Sequence, residues 1–169
     1  YEEKIGSIEG VGVVKVYPTW AGGGTVKVRL LDAEHNVPSS ELVQTVQELV
    51  DPIETSGEGL GIAPIGHKVT VEGAEEVELQ ITTQLTFKGT SWENVRQDVE
   101  AVVVRYFREL RSKWSGDDVV VRISQIEARL LDIEGIIDVQ GTKLNGSSNN
   151  LYLTDEQVPV LAGVVNETE

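Results

Sequence analysis

Apolar and polar residues alternate with period two from Thr25 to Leu31, the mark of a strand with one buried face. Ahead of it, Val11 to Tyr17 is an apolar run that Pro18 ends. Trp20 and three successive glycines, Gly22 to Gly24, lie between the two runs. Together they predict an antiparallel hairpin with Trp20 at its tip. Residues 1–10 are polar with scattered glycines and carry no clear period. After the hairpin, Leu42, Val43, Val46, Leu49 and Val50 fall on one face of a helix. Ser39 suits its N-cap, and Asp51 followed by Pro52 stops it, because the residue before proline avoids helical angles. A loop with Gly57, Gly59, Gly61, Pro64 and Gly66 then leads into a strand from Lys68 to Glu72. Its glycines and proline steer the backbone through a defined bend. This stretch is expected to be an ordered structural joint between two lobes that resists proteolysis.

In the second half, Val77, Leu79 and Ile81 alternate, and Leu85 and Phe87 resume the alternation. The spacing predicts one long strand with Thr83 buried at the shift. Trp92, Val95, Val99, Val102, Val103, Tyr106, Phe107 and Leu110 form a helical stripe, with Thr90 and Glu93 spaced as a capping box. Arg96 with Glu100 and Arg105 with Glu109 are spaced for ion pairs one turn apart. Ser115 and Gly116 end this helix. A short strand, Val119 to Val121, precedes a second capping box, Ser124 with Glu127, and a helix carrying Ile126, Leu130, Leu131 and Ile133. Gly135 fits its C-cap. A strand over Ile136 to Val139, a turn-rich loop at 144–150, and short edge segments at Leu151 to Leu153 and Pro159 to Leu161 follow, and Asn166 to Glu169 is expected to be loose. The pattern predicts an α+β fold of two small mixed lobes. The first, 1–73, reads β-β-α-β, and the second, 74–169, reads β-α-β-α-β with a C-terminal tail.

Composition narrows the function classes. A content of 40% hydrophobic and 25% charged residues supports a packed core and argues against a disordered chain. Acidic residues outnumber basic ones by 28 to 14, for a formal net charge of −14. Such a surface repels nucleic-acid phosphates and anionic membranes and favours basic protein partners. No apolar run reaches the roughly eighteen residues of a membrane span. There are no cysteines, hence no disulfides or thiolate chemistry, which fits a reducing compartment. The chain starts at Tyr1 and contains no Met, so it is expected to be a piece of a longer protein.

Candidate chemistry is sparse. Gly57, Gly59 and Gly61 precede a strand, and Ile62 follows them, so they match neither the dinucleotide fingerprint nor a phosphate loop. His35 and His67 lack metal-ligand spacing. No serine stands in a nucleophile elbow, and no calcium-loop spacing occurs. Carboxylates pair only as neighbours, Glu75 with Glu76 and Asp117 with Asp118, at the edges of elements. Adjacent residues seldom face one cleft as an acid–base pair must.

Several separate motifs carry a resemblance. They are the early valine-tyrosine-proline run with Trp20 and Gly22 to Val26, the stretch from Gly57 to Val71, the pattern Ile126 to Val139, Asn145 with Gly146, and Val158 to Leu161. In this order and spacing the chain, from about Gly10 to Val165, resembles the C-terminal half of the baseplate J family of contractile-tailed phages and prophages. The resemblance implies a structural part of the baseplate wedge around the tail hub, present in several copies. It implies other baseplate and tail proteins as partners, a place in the virion tail baseplate after assembly in the bacterial cytoplasm, no enzymatic activity, and no cofactor or metal. Its matching glycines and prolines would be fold determinants. Trp20, Trp114 and Tyr152 are the candidate exposed interface residues. The competing reading is a small acidic α/β enzyme or ligand-binding domain using Glu75, Glu76, Asp117, Asp118 or His67. A concave pocket with convergent titratable groups would favour the enzyme, and exposed apolar residues without one would favour assembly.

Overall fold

The computed structural model describes residues 1–116 and 118–167. The α+β expectation holds, in two compact units, Tyr1–Glu75 and Glu76–Glu169.

In the first unit, β1 (Val11–Pro18) and β2 (Thr25–Asp32) form the expected antiparallel hairpin, and β3 (Lys68–Gly73) pairs with β2 in parallel, giving the order β1-β2-β3. A parallel neighbour needs a crossover, and α2 (Ser40–Val50) supplies it, packing on β3. The Ser39 hydroxyl accepts from the Leu42 amide at 3.2 Å, so the expected N-cap forms. Residues 1–10 depart from the sequence expectation. They include a short helix, α1 (Glu2–Gly6), which buries Ile5 against the sheet core of Val26, Val28, Leu30, Val46, Val50, Val69 and Val71. One apolar residue in five is too little to show a period.

In the second unit, β4 (Glu75–Phe87) lies between β6 (Ile136–Leu144) and β8 (Gln157–Asn166). The long helix α3 (Trp92–Ser112) packs on β8, and α4 (Ile123–Leu131) packs on β6. A two-stranded ladder, β5 (Val120–Val121) with β7 (Leu151–Tyr152), completes it. Thr83 is fully buried, as expected, and its hydroxyl meets that of Thr142 at 2.9 Å. The buried stripe of α3 is Val95, Val99, Val103, Tyr106 and Phe107, extended by Arg111.

Three expectations fail here for stated reasons. Neither capping box forms, because α3 starts after Ser91 and α4 after Arg122, so Thr90 and Ser124 are out of place. Instead Asn150 accepts from the Ile123 amide at 2.9 Å, capping α4 from 27 positions downstream. Gly135 lies beyond the α4 C-cap, Asp132, in the turn that enters β6. The tail expected after the short edge segment holds a ten-residue strand that runs to Asn166, while residues 168 and 169 of the end expected to be loose lie outside the described residues. Pro159 sits inside β8 because β8 is an edge strand, where a missing donor costs no ladder bond. Asn166 is accordingly buried, and its side chain accepts from the Leu85 amide at 3.2 Å. Arg96 pairs with Glu100, whereas Glu109 reaches Arg129 of α4 at 2.7 Å.

Candidate interaction surfaces

The glycine loop is not a joint between the units. It lies wholly inside the first unit, joining α2 to β3, and the unit boundary falls between Glu75 and Glu76. It is held on both sides. The Ile62 and Ala63 amides donate to the Leu49 and Val50 carbonyls at 3.0 and 2.8 Å, and the Gly66 amide donates to Gly57 at 2.8 Å. Gly61 makes this contact possible, since a Cβ there would stand 2.5 Å from the Val50 carbonyl oxygen. Gly59, Pro64 and Gly66 lie on the exposed side of the same loop.

Asp51 anchors the loop from beneath. Its side chain is in the interior, 2% exposed, and accepts from the Ser56 hydroxyl, the Gly57 amide at 3.0 Å and the Val69 amide at 2.8 Å. Burial pushes its carboxyl upward. The bonds from Ser56, Val69 and Gly57 and the nearby Lys68 charge outweigh that and hold it below the usual carboxylate value. Gln47, one turn earlier, donates to the Val69 carbonyl at 2.9 Å and accepts from the Val71 amide at 2.8 Å. These two side chains occupy the outer edge of β3, which would otherwise invite another strand. The sequence signal was present only as polar residues at the inner end of an amphipathic helix.

The residues proposed for chemistry are divided between the two units. His67 and Glu75 belong to the first unit, and Glu76 and Asp118 to the second. Asp117 lies outside the described residues. The His67 Nδ1 stands 2.7 Å from the Tyr1 hydroxyl, whose pKa is raised by burial and by the Asp51 charge. Glu75 and Glu76 are consecutive on β4 and so point to opposite faces. Asp118 lines a recess with Lys113 and Arg122. Among the described residues no group of three histidines or carboxylates could hold a metal ion, and no helix is long and apolar enough to cross a membrane.

Of the three aromatic candidates, Trp20 and Tyr152 are exposed. Trp20 sits at the hairpin tip with the Lys27 ammonium 5.1 Å from its ring centroid and 5.5 Å from that of Tyr17. Trp114 corrects the expectation: it is 0% exposed and part of the interior. It continues the α3 stripe, four positions after Leu110 and seven after Phe107, just past the helix end. Extending the period by one turn would have revealed it.

The comparisons agree with this architecture. The profile of the Baseplate J-like central domain matches residues 1–73, and that of the Baseplate J-like protein C-terminal domain matches residues 79–167. Protein XkdT of the phage-like element PBSX of Bacillus subtilis (strain 168) is 34% identical over 165 residues, covering 97% of this chain and 46% of that protein. The uncharacterized protein YqbT of the same strain is 35% identical over 170 residues, covering 100% and 47%. The chain thus spans about half the length of these relatives. A chain in the six-fold symmetrised cryo-EM structure of the anti-feeding prophage baseplate shares the fold, with a TM-score of 0.59 at 11% identity, over 95% of this chain and 36% of that one. With the two profiles in order along two compact units, this chain belongs to the baseplate J-like family.

Proposed function

We propose that the chain is a structural part of the tail baseplate of a contractile phage or prophage, within the wedge around the tail hub. On this reading it works in several copies, binds other baseplate and tail proteins, and catalyses no reaction. We also propose that 1–73 and 74–169 are two separate domains. The observation that carries the reading is the succession of the two baseplate J-like profiles over the two units. The relative from a phage-like element and the baseplate structure with the same fold support it. A net charge of −14 supports protein partners over nucleic acid or anionic membrane. Assembly would take place in the bacterial cytoplasm.

The test is fractionation of tail particles from cells making the tagged full-length protein. The protein should sediment with the particles, and antibody against the tag should label the baseplate end of the tail in electron micrographs. A protein found only in the non-sedimenting fraction while tails form normally would overturn the proposal.

A further inference from the structure

The first unit exposes a concentration of apolar side chains that its core does not use. Leu49, Ile53, Leu60 and Ile65 are 49%, 66%, 69% and 77% exposed. All four stand on the last turn of α2 or the loop after it. The backbone folds this segment back on itself. Ile62 is bonded to Leu49, and Gly59 packs directly against the Ile65 backbone and side chain. Exposed apolar residues scattered singly are ordinary, but four on one loop mark a contact surface. The loop is also fixed, by Asp51 below and by the bonds to Leu49 and Val50 at its side. A surface already ordered loses little conformational entropy when covered.

The rim says what covers it. Glu48, Glu54 and Glu58 are exposed and lie within two positions of the apolar residues Leu49, Ile53 and Leu60 in the chain, with Lys68 as the cation beside Gly57. A second copy of this chain would bring the same carboxylates, in a chain with 28 acidic and 14 basic residues, so self-association is disfavoured. We propose that this loop face docks a partner protein whose contact surface is apolar at the centre and carries lysine or arginine around it. The proposal rests on the baseplate reading for placing that partner in the particle, and it names the side of this chain that the partner meets.

The test is an NMR titration of the isotope-labelled chain with a synthetic amphipathic helical peptide, leucine on one face and lysine at its edges. A second peptide with glutamate in place of lysine is the control. Amide shifts should concentrate at residues 48–66 with the lysine peptide only. Leu60→Ser with Ile65→Ser should weaken binding about tenfold, and Glu54→Gln with Glu58→Gln should weaken it severalfold and flatten its salt dependence. All four side chains are exposed, so these variants should keep the wild-type amide spectrum elsewhere. Shifts elsewhere, equal binding of the glutamate peptide, or unchanged affinity of both variants would overturn the proposal. So would a dimer in light scattering that the serine variant abolishes, since a second copy would then occupy the face. Particle fractionation reads separately: sedimentation with tails beside a failed titration removes this surface and leaves the baseplate role standing.

Discussion

Asp51 offers the sharpest test of how the first unit is held. Replacing it by alanine strands the Gly57 and Val69 amides and the Ser56 hydroxyl. A buried donor left without a partner costs about 1–3 kcal/mol. Ser56 and Gly57 are half-buried and recover part of this through water, whereas Val69 is buried and does not. The sum is about 3 kcal/mol for Asp51→Ala. It is about 2 kcal/mol for Asp51→Asn, which keeps the shape but turns an amide donor toward other donors. The same geometry fixes the pH dependence. The folded carboxyl has a lowered pKa, because the three bonds and Lys68 outweigh the opposing effect of burial. Its contribution is therefore fully present above the unfolded value, near pH 4, and is lost as pH falls through the lower folded value. Urea unfolding followed by circular dichroism at pH 7, and in steps from pH 5 to pH 3, reads both effects. Hydrogen exchange at the Val69 and Gly57 amides gives the local readout. Asp51→Asn should be less stable at pH 7, exchange faster at both amides, and converge on the wild type in acid. Equal stability at pH 7, or a difference that stays constant through the acid range, would refute the reasoning.

Three further outcomes follow from the packing. Gly61→Ala should lower stability by about 2 kcal/mol because its Cβ would meet the Val50 carbonyl at 2.5 Å, whereas Gly66→Ala, with open space but a φ of +84°, should cost about 1 kcal/mol; urea midpoints separate the two. Trp114→Ala should cost about 3–5 kcal/mol by thermal or urea unfolding, as a fully buried aromatic does, while Trp20→Ala should cost no more than about 1 kcal/mol, its cation–π contact with Lys27. Limited proteolysis of the folded chain should leave 57–66 intact; early cleavage there, mapped by mass spectrometry, would contradict a loop held by Asp51 and by the Leu49 and Val50 carbonyls.

What the sequence discloses is local. The hairpin strands, the α2 period and the Ser39 cap each rest on a pattern contained in one short segment, and each appears where the pattern puts it. Asn145 and Gly146 likewise form the tight turn their pairing suggests, both with positive φ and with Leu144 and Ser147 exchanging two backbone bonds at 2.9 Å. What it conceals is set by distant partners. Gln47 and Asp51 read as helix-end polar residues until β3 lies alongside them, 18 to 24 positions away. Arg111 reads as a solvated helix end, yet it is buried, with its guanidinium donating to the Pro159 carbonyl at 2.8 Å. The capping-box spacings misled for the converse reason, since a more distant amide, Asn150, reached the α4 end and fixed its start one residue before Ser124. The exposed apolar residues Leu49, Ile53, Leu60 and Ile65 also give no sign in the sequence, and Leu49 even belongs to the same period as the buried Val46 and Val50.

One device recurs in both units. A single short polar side chain ties an irregular segment to a backbone amide far along the chain. Asp51 does this for the glycine loop, and Asn150 for the start of α4. Asn145 extends the β4 ladder beyond its end, accepting from the Gln80 amide at 2.8 Å and donating to the Glu78 carbonyl at 3.0 Å. Asn166 fixes the end of β8 through Leu85. Each bond contributes only about 1 kcal/mol on average, so stability alone is a weak reason for the pattern. The stronger reason is geometric. Loops that would otherwise wander are placed before any partner arrives, and association then spends less of its free energy on ordering them. That economy would suit the proposed baseplate role, and on that reading the apolar face on the Asp51-anchored loop is where a neighbouring protein would hold the chain.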